Sequence, residues 1–168
     1  MKLQLPTNIV KAMEALFSTS PVLNSFQNIP IFAELSQDAL ITLYVASHER
    51  VVHAGEVIVR EGEPGDEMFI VGSGVVEVMK NISEDNVSVI ATLGQNEFFG
   101  EMCVIEPIVR SATVVAKETC FLYSLTSNSL NKLYQIWPDQ HTIIMKNLCR
   151  CLGERITKMD ETFLARAS

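Results

Sequence analysis

Val57-Ile58-Val59-Arg60-Glu61-Gly62-Glu63-Pro64-Gly65-Asp66-Glu67-Met68-Phe69-Ile70-Val71-Gly72-Ser73-Gly74-Val75 decides the architecture. Two short apolar, β-branched runs, Val57–Arg60 and Met68–Val71, flank Gly62-Glu63-Pro64-Gly65-Asp66, a dense turn signal. A third run, Val75–Lys80, starts directly after Gly72-Ser73-Gly74. Runs this short, punctuated this closely by glycine, fit antiparallel strands and leave no room for crossover helices.

The same rhythm extends in both directions. Arg50–Val52 precedes it, and Val87–Leu93, Ala112–Ala116 and Thr119–Leu125 follow, with turn signals at His53-Ala54-Gly55, Ser83-Glu84-Asp85-Asn86 and Gly94-Gln95-Asn96. Seven or eight short strands at such spacing predict an antiparallel sandwich or barrel. Outside this block the apolar period is helical. Ile9, Val10, Met13, Leu16 and Phe17 predict one helix, and Ser20-Pro21 can cap and start a second. Leu40, Leu43 and Tyr44 after Ser36 predict a third. Beyond Ser127, the residues Leu130, Leu133, Tyr134 and Trp137 predict a helix ending before Pro138, which can open a long last helix. Along that helix Ile144, Leu148, Leu152, Ile156, Met159 and Phe163 recur about four apart, with Gly153 as an interruption.

Composition narrows the function. The 168 residues are 48% hydrophobic and 20% charged, which excludes a disordered tail. A formal net charge of −7 disfavours non-specific binding to nucleic acid or to anionic membrane. No apolar run is long enough to span a bilayer and Met1–Asn8 has no secretory pattern, so the expected compartment is the cytoplasm. Cys103, Cys120, Cys149 and Cys151 read as small buried hydrophobes. Cys149-x-Cys151 is too tight for the usual zinc loop, and no metal site is expected. His48, His53 and His141 are scattered, and no nucleophile–base spacing stands out, so no enzyme is expected.

One segment breaks the strand rhythm: Glu97-Phe98-Phe99-Gly100-Glu101-Met102-Cys103-Val104-Ile105-Glu106-Pro107-Ile108-Val109-Arg110-Ser111-Ala112-Thr113. Met102–Ile105 can form one helical turn whose free N–H groups favour an anion. Arg110 can chelate a phosphate with its planar fork, and Glu101 can accept from a sugar hydroxyl. Equally, Glu101 and Arg110 can simply pair with each other.

Phe99-Gly100-Glu101 and Arg110-Ser111-Ala112-Thr113, with their Glu–Arg offset, resemble the phosphate-binding cassette of the cyclic nucleotide-binding domain family. Upstream, Gly55-Glu56-Val57-Ile58, Gly62-Glu63-Pro64-Gly65-Asp66, Met68-Phe69-Ile70-Val71 and Gly74 resemble a second family motif, and Ile29-Pro30-Ile31-Phe32-Ala33-Glu34-Leu35 its opening segment. The resemblance implies an α+β fold: an antiparallel, jelly-roll-like β-roll with N-terminal helices and a C-terminal helical lid. It divides the chain into a helical extension at 1–28, the β-roll at 29–137 with its cassette at 98–113, and a lid or interaction helix at 138–168.

It also implies roles. Gly100, Glu101, Met102, Cys103, Arg110, Ser111 and Ala112 would form the ligand site. Glu101 would accept from the ribose 2′-hydroxyl, Arg110 would hold the phosphate, and the Cys103 amide would contact it. Val71 and Met79 would line the base pocket. At the Ser111 position a Thr tends to favour cGMP and an Ala cAMP, so the expected ligand is cAMP, alternatively cGMP. Arg155 is the candidate for reaching the purine from the lid, with a surface ion pair as its plainer role. The stretch Glu106–Val109 departs from the family pattern, which often has glycine in this loop and proline just before the arginine.

No further cofactor is implied. The partner would be an unidentified effector protein, and the last helix could also pair with a twin to make a homodimer. A DNA-binding domain is not expected, since only the 31 residues 138–168 follow the roll. The alternative function is an interaction scaffold that keeps the fold without the ligand.

Overall fold

The computed structural model describes residues 26–83, 86–106 and 108–167, with the backbone alone at 81–83, 86 and 162–167. The helices expected around Ile9–Phe17 and at Pro21 lie outside the described residues. A 3-10 turn at Pro30–Phe32 leads into α1 (Gln37–Ala46), whose N-cap Ser36 accepts from the Ala39 amide at 3.3 Å. Eight strands follow: β1 (His48–Val52), β2 (Val57–Val59), β3 (Glu67–Ser73), β4 (Val76–Ser83), β5 (Asn86–Leu93), β6 (Phe98–Phe99), β7 (Thr113–Ala116) and β8 (Cys120–Thr126). The short helix α2 (Met102–Ile105) separates β6 from β7. The chain then runs through α3 (Ser127–Ile136), capped by Thr126, into α4 (Pro138–Ala167).

The strands form two four-stranded antiparallel sheets, ordered β1-β8-β3-β6 and β2-β7-β4-β5. This is the expected α+β roll, with the helices at its ends. Strand β3 shows how the layers arise. Met68, Phe69, Ile70 and Val71 are all at most 1% exposed, yet they point alternately to opposite faces. Met68 and Ile70 join the cluster that packs under the helices, with Phe26, Phe32, Leu40, Leu133 and Ile144. Phe69 and Val71 join the cluster between the sheets, with Val52, Val76, Phe99, Val114 and Leu122. A strand buried on both faces loses its polar alternation, which is why this run reads as continuously apolar.

Three expectations are revised. The two-residue strand β6 has no strand signal of its own; it exists because Phe98 and Phe99 pair with Ile70 and Phe69. Gly153 does not break the last helix, which runs through it unchanged. A single glycine costs about 1 kcal/mol relative to alanine, too little to stop a helix whose first half is packed. Nor is Cys149 buried, unlike the other three cysteines.

In the packed first half of helix α4, a buried polar side chain ties the helix to the 3-10 turn. Asn147 is fully buried, and its amide nitrogen donates to the carbonyls of Ile31 (3.3 Å) and Ala33 (2.7 Å) in and just after the 3-10 turn. Asn147→Ala would leave two carbonyls without this partner, that of Ile31 buried and that of Ala33 partly buried. We expect a loss of about 2–4 kcal/mol in unfolding free energy, read from the urea midpoint at constant m-value. A loss below about 1 kcal/mol would remove Asn147 from this role.

Candidate functional site

The site is built where β3, β6 and the segment before β7 converge. Arg110 is only 6% exposed although it is charged. Its backbone is clamped on the turn after β2: its amide donates to the Glu63 carbonyl and its carbonyl accepts from the Gly62 amide, both at 2.8 Å. The side chain turns inward. Its Nη1 donates to the Glu67 carbonyl at 2.7 Å and lies 3.5 Å from that of Gly100, and the guanidinium stands 5.7 Å from the centre of the Phe69 ring. Among the described residues no carboxylate lies within 4.0 Å of it. Buried cations are normally paired, so this one faces carbonyl oxygens with its full charge uncompensated.

Two glycines make the space. Gly100 sits at φ +74°, where a side chain is strained, and a Cβ there would lie 2.5 Å from Arg110 Nη1. A Cβ on Gly65 would run into Nε and Cζ of the same guanidinium and come within 2.8 Å of Nη2. The glycines of the two sequence motifs therefore meet at one side chain.

Glu101 is 7% exposed and does not pair with Arg110. Its Oε1 accepts from Arg155 Nη1 at 2.9 Å, while Arg155 Nη2 donates to the Phe98 carbonyl at 2.6 Å. The Arg155 guanidinium also covers the Phe98 ring, 4.4 Å from its centre. Arg155 thus reaches across from α4 to the cassette. Its ion pair is neither on the open surface nor with a helix neighbour.

The helical turn expected at Met102–Ile105 is present as α2. The Cys103 amide already donates to the Gly100 carbonyl at 3.2 Å, and the Cys103 side chain is buried, whereas Met102 is 45% exposed. Ser111 is exposed and Ala112 half-buried at the mouth of the roll. Val71 is fully buried in the inter-sheet cluster, opposite Leu122 on β8. Met79 stands half-buried on β4 opposite Val89 and Thr113. Sequence reasoning missed Lys80, whose ammonium donates to the Ser111 carbonyl at 2.6 Å and pairs with Glu61 at 3.0 Å. The period-2 alternation from Val76 through Val78 carries the signal that finds it.

Among the described residues there is no cluster of three potential metal ligands, and no helix is long and apolar enough to cross a membrane.

The family model described as "Cyclic nucleotide-binding domain" matches residues 49–136. A cyclic nucleotide-gated potassium channel of Mesorhizobium japonicum is 39% identical over 118 residues, covering 70% of this chain and 31% of the channel. The chain spans about a third or less of the length of the curated relatives it matches. Among solved structures, a cyclic nucleotide-binding domain from Methylobacillus flagellatus superposes with a TM-score of 0.77, at 24% identity, over 93% of this chain and 84% of that one. The catabolite activator protein of Thermus thermophilus superposes with a TM-score of 0.70, at 26% identity, over 80% of this chain and 61% of that one. With the family model covering more than half of its residues and the roll, cassette turn and buried arginine in place, the chain belongs to the cyclic nucleotide-binding domain family.

Proposed function

We propose that the chain binds a cyclic mononucleotide, cAMP or alternatively cGMP, does not turn it over, and passes the bound state to an effector protein through α4. The observation that carries this is the buried Arg110 guanidinium, held in a two-glycine notch with carbonyl partners and, among the described residues, no acid within ion-pair distance. A phosphate is the complement that such a fork lacks. Glu101, at the start of α2, supplies the acceptor for a ribose hydroxyl. The output follows from the helix. Ile144 and Leu148 are buried, whereas Ile156 and Met159 are 61% and 71% exposed, so the second half of α4 keeps an apolar stripe available for a partner.

Calorimetry with cAMP, cGMP and cyclic di-GMP tests the reading, with hydrogen exchange followed on the same samples. Saturable binding of a cyclic mononucleotide is expected, without formation of AMP or GMP on incubation. Exchange in residues 154–161 should change on saturation. Absence of binding would instead leave the scaffold alternative, and measurable hydrolysis would reject the purely regulatory role.

A further inference from the structure

Strand β4 turns alternate side chains to opposite faces. Val76 is fully buried and Val78 packs against the inter-sheet cluster, so Lys80 shares the face that looks into the roll. The β4–β7 pairing runs without a shift from Val76↔Ala116 to Met79↔Thr113. The bulge beside Val78 and Met79 adds Ile90 on β5, because Val78 faces Ala91 and Met79 faces Val89. The alternation of β4 itself is therefore intact up to Lys80.

At that position the ammonium bridges two elements of the site. It donates to the carbonyl of Ser111, the residue after Arg110, and pairs with Glu61 on the turn after β2. An ammonium has three donors and no acceptor. Two are committed here, and the third has no protein partner among the described residues.

A cyclic nucleotide offers a phosphate, a ribose and a base. On the cyclic nucleotide reading of the site, which this inference rests on, Arg110 takes the first and Glu101 the second. On the same face of the second sheet, Val78 with Ala91 and Leu93 on β5 gives an apolar floor for a flat ring, and Lys80 stands next along β4. The base edge that meets Lys80 must accept. Guanine presents two acceptors on one edge, O6 and N7; adenine presents N7 beside a donating N6 amine. A group that only donates gains from O6 and is opposed by the amine. We infer that Lys80 is a specificity-determining residue that donates to O6 of a 6-oxopurine cyclic nucleotide, so that the site admits cGMP beside cAMP even though Ser111 lacks the threonine methyl.

The test is calorimetric titration of the full chain and its Lys80→Met variant with cAMP, cGMP and cIMP, which has O6 but not the 2-amino group of guanine. The Lys80 side chain is 44% exposed, so the substitution leaves the core intact. We expect cGMP and cIMP each to weaken about tenfold, equivalent to about 1.4 kcal/mol, while cAMP changes by less than about twofold. A parallel loss for all three would make Lys80 a brace for the Ser111 carbonyl and overturn the proposal. So would unchanged cGMP and cIMP affinities, or a loss confined to cGMP, which would point to the 2-amino group. Binding of all three with unaltered selectivity overturns this inference alone. Failure of the unmodified chain to bind any of them overturns the parent reading as well.

Discussion

Arg110→Ala should weaken cyclic nucleotide binding by roughly 100- to several thousand-fold, while Glu101→Ala should weaken it far less. Removing one partner of a buried, hydrogen-bonded charge pair costs about 3–5 kcal/mol, because the phosphate is then left desolvated with nothing to face it. Glu101 offers one or two hydrogen bonds to a neutral hydroxyl, worth about 1–3 kcal/mol. Its loss also releases Arg155, which at 35% side-chain exposure can recover water. The two titrations are run under identical salt, with circular dichroism as a control for folding. Equal losses would reject the division of roles. A folded Arg110→Ala chain that binds as well as the unmodified one would reject the phosphate assignment altogether.

The second large effect is expected at a residue that touches no ligand. Gly65 lies in the turn after β2, and a methyl group there would occupy the volume of the Arg110 guanidinium. The obstructing atoms belong to the far end of a long, flexible side chain, so the arginine can move aside and the backbone can stay. Gly65→Ala should therefore cost less than about 1 kcal/mol of folding stability. It should nevertheless lower cyclic nucleotide affinity about 10- to 100-fold, because a misplaced bidentate donor forfeits most of a charge-assisted contact. Urea denaturation and calorimetry on the same sample separate the two quantities. Loss of stability in proportion to loss of affinity would mean that Gly65 serves the fold and not the arginine. Gly100→Ala is the useful contrast. There the positive φ adds backbone strain to the same collision, so stability and affinity should fall together.

Much of this was legible before any coordinates. The strand block was readable because both sheets are antiparallel and tightly turned, so each run ends in a glycine-rich signal within a few residues. The cassette was readable because it breaks the rhythm and carries a carboxylate and an arginine at a fixed offset. What escaped the sequence depends on long-range pairing. Strand β6 is two residues long and owes its form to β3, a partner almost thirty positions upstream. The unbroken apolar run Met68–Val71 shows burial on both faces, but not which face looks between the sheets, and so not where Val71 sits. The partner of Arg155 lies 54 residues away, and nothing in the charged stretch around it singles out Glu101. Lys80 sat at the end of a strand run with the usual composition of a solvated tip, and only the neighbouring Ser111 carbonyl and Glu61 give it a role.

The unbroken course of α4 has a mechanical consequence. At 1.5 Å per residue, Arg155 stands about 12 Å along the axis from the buried Asn147 anchor, and Ala167 about 30 Å. A rod pivoting at the anchor multiplies displacement by the ratio of those arms. A shift of about 1 Å where Arg155 meets the cassette becomes roughly 2.5 Å at the far end of the helix, with no bond rotated in between. The glycine halfway along adds no slack so long as its helical hydrogen bonds hold. Any displacement of Arg155 at the cassette is therefore enlarged at the far end of α4, by a factor that the helix geometry alone sets.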